Sequence, residues 1–204
     1  MVGKAMKSDR RVTYTKMVLK RSLLETIHEK PVSKITVKEI CEKADINRAT
    51  FYSHFNDVYD MLDQIENELY ETIKRTLDKG WRANSLAELL TGVCTDIKLN
   101  EDICKAILSD NGDKDFLNRA LFVAQDKCVS DWKTAAPEAD TETLEKTYTF
   151  FSHGSAAIIL SWVRGGMKES PAEIASFIEQ ITNKGLGLLQ SDMNGKAILP
   201  ISIG

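Results

Sequence analysis

The stretch "ITVKEICEKADINRATFYSHFND", residues 35–57, decides the reading of the fold. Thr36 is followed three residues later by Glu39, which is the spacing of a capping box at a helix start. The spacing predicts a helix over Val37–Ala44, with Val37, Ile40, Cys41 and Ala44 on one apolar stripe. Asp45-Ile46-Asn47 then forms a short turn, and Asn47 caps a further helix over Arg48–Phe55. Phe51 and Phe55 are four residues apart, so they share a face that packs inward. Ala49, Thr50 and Ser53 lie on the other side, Tyr52 and His54 flank them, and Arg48 stands at the helix start. Two helices joined by a tight turn, the second presenting small and polar groups outward, form a helix-turn-helix. In that arrangement the second helix enters the major groove of DNA.

The residue types suit that task. Arginine pairs bidentately with guanine, and the methyls of alanine and threonine meet a thymine methyl. Hydroxyls and imidazole bond phosphate oxygens, which fixes register but not sequence. Lys38, at the start of its helix, reaches a phosphate or an adjacent base, and Lys7, Arg10, Arg11 and Lys16 are placed to touch the backbone or a minor groove. Two other readings stay open here: Tyr52 half-packs against the first helix, or His54 only bridges helices. Thr36 is a structural cap under any reading.

Moving outward, residues 1–12 read as a polar, basic arm, and a first helix fits Thr15–Glu29 before Pro31. Asn56-Asp57 caps a long fourth helix from Val58 to Leu77 or Trp81, with Met61, Leu62, Ile65, Leu69, Ile73 and Leu77 recurring every three or four residues. Further helices are expected at Leu86–Lys98, Glu101–Ser109, Asp113–Trp132, Glu142–Val163 and Ala172–Leu189. The fold class is therefore all-α, with residues 1–56 as a DNA-binding domain, 57–190 as a helical regulatory and dimerisation domain, and 191–204 as a tail.

Charge follows the same division. Residues 1–55 hold 12 of the 27 basic and 6 of the 30 acidic residues, a net of +6, which leaves −9 on the remainder. A basic module on an acidic body suits a polyanion that meets only the module. No segment approaches the ~18 apolar residues of a membrane span. Cys41, Cys94, Cys104 and Cys128 match no metal or C-x-x-C spacing and sit in helical apolar patterns, so reduced thiols and a cytoplasmic location are expected, with no metal and no cofactor. His28, His54 and His153 are scattered and build no catalytic motif, so the chain does not read as an enzyme.

The segment "ITVKEICEKADINRATFYSHFNDVYDML" resembles the DNA-binding domain of the TetR family of bacterial transcriptional regulators over residues 12–62. The resemblance rests on the threonine-led second helix, the A-x-I-x-x-x-T-F-Y-x-H-F core and the following D-x-x-x-L. It implies double-stranded DNA contact by Thr36, Val37, Lys38, Asn47, Arg48, Ala49, Thr50, Tyr52, Ser53 and His54. One departure is visible: Asn56, Asp57 and Val58 stand where relatives often place a lysine against phosphate. The resemblance also implies a homodimer through the last two helices. The apolar run with Ala156, Ile159, Leu160 and Val163, and the stripe Ile174, Phe177, Ile178 and Ile181, agree with it. It implies a pocket in the body for a small effector with apolar surface. Candidates for its lining are Phe116, Phe122, Trp132, Tyr148, Phe151 and His153, although an aromatic at helical spacing is more often core. The expected function is a repressor on a palindromic operator, released by the effector. The alternative is an activator or protein-interaction module that needs no small-molecule inducer.

Overall fold

The computed structural model describes residues 2–80, 85–113, 115–135 and 137–191. Among them the fold is all-helical: α1 (Val2–Ile27), a 3₁₀ turn at Val32–Lys34, α2 (Val37–Ala44), α3 (Arg48–Tyr52), α4 (Val58–Gly80), α5 (Leu86–Leu99), α6 (Glu101–Ile107), α7 (Phe116–Ala135), α8 (Thr141–Arg164) and α9 (Pro171–Ser191). The chain divides into two compact units. One holds residues 1–69 and 102–116, the other 70–101 and 117–204.

The first unit is organised around the apolar stripes of α1 to α4. Leu19, Leu23, Ile27, Ile40, Phe51, Phe55, Met61 and Ile65 are all under 2% exposed. Ile107 of α6 joins this class, so a segment distant in sequence belongs to the same unit. The turn that follows α6 is tied to α1: the Asn111 side-chain amide donates to the carbonyl of Ile27, the last residue of that helix, at 3.1 Å. Gly112 makes the turn feasible, because a Cβ there would lie 2.0 Å from the Ile107 carbonyl oxygen. Ion pairs tie α1 and the turn after it to α2, with Lys43 lying 3.4 Å from Glu25 of α1 and 3.2 Å from Glu29 of the turn. Lys20 of α1 pairs with Glu68 of α4.

The first helix differs from expectation at its start. The arm expected over residues 1–12 is helical backbone from Val2 onward. Polarity alone suggested an arm, but Lys4, Ala5, Met6, Lys7, Arg10 and Arg11 are all good helix formers, and after Gly3 nothing interrupts the run. The side chain of Lys7 lies outside the described residues, as do residues 81–84 and, of the expected tail, residues 192–204. The third helix is shorter than its periodicity suggested: it ends at Tyr52, with Ser53 as C-cap and its hydroxyl donating to the Thr50 carbonyl at 2.6 Å.

In the second unit α9 packs on α5 and α8. The amide of Ala87, in the first turn of α5, donates to the Glu179 carboxylate at 2.9 Å. Cys94, Leu144, Trp162, Val163 and Ile178 are buried. The Trp162 indole donates to the Glu169 carbonyl at 3.0 Å, which fixes the turn between α8 and α9. Gly185 of α9 lets Phe151 approach so closely that a Cβ at residue 185 would stand 3.0 Å from its ring. No helix among the described residues is long and apolar enough to cross a membrane.

Candidate nucleic-acid interface

The interface is built from the capped starts of α2 and α3. At α2 the Thr36 hydroxyl accepts from the Glu39 amide at 3.3 Å, and Glu39 Oε2 accepts from the Thr36 amide at 2.9 Å. This capping box satisfies donors that a helix start otherwise leaves unpaired. Lys30 adds its ammonium to Glu39, and with the amide and hydroxyl of Thr36 it holds the carboxyl down at about 2. A carboxyl lowered from 4.5 contributes stability that is present above about pH 4.5 and lost as pH falls toward about 2. Glu39→Gln is therefore expected to flatten the acid limb of the unfolding curve in that window. Circular dichroism melts at stepped pH would check this, and an unchanged limb would show that the carboxylate contributes nothing there.

At α3 the Asn47 side-chain oxygen accepts from the Ala49 amide at 2.7 Å. Phe51 is fully buried, edge-on to Tyr52 and tilted against Phe55, with both ring centroids at 5.5 Å. This anchor leaves the opposite face of the helix in solvent. Thr36, Lys38, Asn47, Arg48, Ala49, Tyr52 and Ser53 are exposed, and Val37, Thr50 and His54 are half-buried. The Tyr52 ring stands at right angles to Phe51 of its own helix, with more than half its surface in water. The His54 ring stands 6.3 Å from that of Phe55.

The N-terminus of α4 is satisfied from within. Asp57 accepts from the Asp60 amide at 2.8 Å, and the Asp60 carboxylate accepts from the Asn56 amide at 2.7 Å. Two carboxylates at that helix start leave little attraction for a phosphate. The Asn56 amide and then the Gln64 side chain hold the Asp60 carboxyl below its ordinary range, with a smaller contribution from Lys16 of α1, whose ammonium lies 5.6 Å over the Phe55 ring. Arg10 and Arg11 are exposed on the same helix.

The other candidates fall as follows. Phe116 is buried in the first unit. Trp132, Tyr148 and Phe151 lie together in the second, where Trp132 and Phe151 pack with Val129 on Ala139 and Leu144. The Trp132 and Tyr148 rings are 6.3 Å apart, and the Tyr148 hydroxyl donates to the Leu121 carbonyl at 2.6 Å. Phe122 is 66% exposed and His153 is also exposed, so the six do not line one cavity. Of the two apolar stripes, Ala156, Val163, Ile174 and Ile178 are buried within the chain, Ile159 and Leu160 are half-buried, and Phe177 and Ile181 face out. Phe150, 74% exposed, was not singled out by the sequence. Its position one turn before Gly154 and two turns before Ala157 was the available signal.

These features define a class: an all-helical protein whose N-terminal unit presents a helix-turn-helix to solvent. Comparison with known proteins narrows the class. The family described as "Bacterial regulatory proteins, tetR family" matches residues 22–65, and "Transcriptional regulator C-terminal region" of the same family matches residues 84–184. The chain belongs to the TetR family of DNA-binding transcriptional regulators. Among solved structures it is similar to a TetR transcriptional regulator from Streptococcus agalactiae 2603V, with 22% identity over 87% of this chain and 98% of that one, at a TM-score of 0.60. It is similar to the fatty acid degradation regulator FadR from Bacillus halodurans, with 14% identity, 84% and 96% coverage and a TM-score of 0.61. The dihydroxyacetone kinase operon activator DhaS gives 18% identity, 85% and 97% coverage and a TM-score of 0.54. At such identities the likeness is one of fold. Among curated proteins no relative matches the chain.

Proposed function

We propose that the chain acts as a cytoplasmic homodimeric repressor that reads a palindromic operator with α3 in the major groove and is released by a small effector. The observation that carries this reading is the exposed face of α3 and its cap, with Arg48, Ala49, Tyr52 and Ser53 in water while Phe51 holds the helix from behind. Arg48 makes no ion pair or hydrogen bond among the described residues, so its guanidinium is ready for a base edge. Thr36, Val37, Lys38, Asn47, Thr50 and His54 would position the helix against phosphates.

Two such modules need a second subunit to span half-sites ~34–36 Å apart. The outward face of α8 and α9 supports that partner: Phe150, Phe177 and Ile181 are exposed, and a Cβ on Gly154 would meet nothing within 4 Å. The apolar group around Trp132, Tyr148 and Phe151 supports an effector with apolar surface in the second unit. Release requires that the effector bind the state with weak DNA affinity more tightly.

The test is a titration of the purified chain against duplexes from around its own gene, at physiological salt with competitor DNA. Arg48→Ala is expected to weaken the specific complex about tenfold or more while leaving the melting temperature unchanged. Undiminished binding by Arg48→Ala would remove α3 as the reading element.

A further inference from the structure

The surface read above as DNA-facing carries carboxylates as well as cations. Glu42 lies one helical turn after Lys38 on α2, with Lys38 Nζ 3.8 Å from Glu42 Oε1 and the two side chains 62% and 65% exposed. Asp45 closes α2 in the left-handed conformation, φ 53°. Lys38, Cys41, Glu42, Asp45, Asn47 and Arg48 line a groove of about 470 Å³ where α2 meets the start of α3. Burial pushes the Cys41 thiol up, Arg48 pulls it down and Glu42 raises it further, so both charges reach the same floor of this groove.

Folding gives Glu42 little reason to be acidic. Among the described residues its side chain has the exposed pair with Lys38 alone, and such pairs contribute little. DNA affinity gives it less reason, since a carboxylate repels the phosphates that dominate binding. A carboxylate can only accept hydrogen bonds. Guanine N7 and O6, adenine N7 and thymine O4 are acceptors too, and only the amino groups of cytosine and adenine donate in the major groove.

We propose that Glu42 is a specificity-determining residue: its carboxylate accepts from the amino group of a cytosine or adenine beside the base met by Arg48, and it excludes guanine and thymine there, which present a carbonyl oxygen in place of the amino group. In the free protein Lys38 shields the carboxylate. On DNA, Lys38 turns to a phosphate and leaves Glu42 to the base edge. This inference rests on the reading of the surface as the DNA contact.

The experiment selects binding sites from random duplexes with the full-length chain, Glu42→Ala and Arg48→Ala, and titrates each against an unselected duplex. Glu42→Ala is expected to lose about a tenfold preference at one cytosine- or adenine-bearing position, next to the position whose preference depends on Arg48, and to keep the rest. It should also bind the unselected duplex about threefold more tightly, because a repulsive charge is gone. A Glu42→Ala chain that keeps every base preference overturns the proposal alone. An Arg48→Ala chain that selects the same site with the same affinity overturns the reading of the surface, and the proposal with it.

Discussion

Replacing Phe177 and Ile181 together by glutamate is expected to leave a monomer that binds a full palindromic operator about a hundredfold or more weakly. The two side chains are 52% and 48% exposed within one chain, so the new carboxylates stay in water and folding is little affected. At a two-fold interface the same carboxylates would be desolvated and would face one another, which no apolar contact offsets. Once the subunits part, the second half-site is no longer engaged at the high local concentration that linkage supplies, and avidity of about 10²–10⁴ is lost. Sedimentation equilibrium reads the oligomeric state, and titration against full and half operators reads the affinity. The half operator should be bound as before. A variant that remains dimeric would place the interface on another face.

Phe51→Ala is the second large effect, and it acts through folding. The ring is fully buried on the inward side of α3, with the Tyr52 ring of the same helix and the Phe55 ring just after it both at 5.5 Å. Truncating a buried phenylalanine costs about 3–5 kcal/mol. That is a large part of the ~5–15 kcal/mol that stabilises a domain. Urea unfolding should show a markedly lower midpoint, and operator binding should fail although no exposed residue of α3 has changed. Phe51→Leu, which refills most of the volume, should recover part of both. A midpoint like that of the native chain would mean that α3 is held by other contacts. The contrast with Arg48→Ala, which should lose DNA and keep the midpoint, separates the anchoring side of this short helix from its reading side.

How far these features could be read in advance depended on local chemistry. α2 was legible to the residue because Thr36 and Glu39 announce its start and one apolar stripe defines its length. The spacing of Phe51 and Phe55 gave the buried side of α3, but its end depended on a hydroxyl, that of Ser53, turning back onto the helix. The start of α1 was missed because a solvated helix and a loose arm have the same polar composition. The body was harder. Helical periodicity locates apolar faces but does not say which neighbour each face meets, so Ala156 and Phe177 looked alike in sequence and differ in exposure. Phe116 read as a lining residue of the body, yet its place in the first unit follows from long-range packing that no local pattern encodes. Glu42 could have been noticed from its four-residue spacing after Lys38, a pattern normally set aside as a solvated pair.

The tie between Asn111 and the end of α1 bears on how such regulators could be recombined. The N-terminal unit is not a contiguous piece of chain: residues 102–116 complete it, with Ile107 in its core and Asn111 on its first helix. A graft that joined residues 1–69 of this chain to the body of a relative would import a foreign α6 and a foreign turn. A useful hybrid must carry both stretches, so the borders for exchanging operator preference between relatives lie at two places in the sequence.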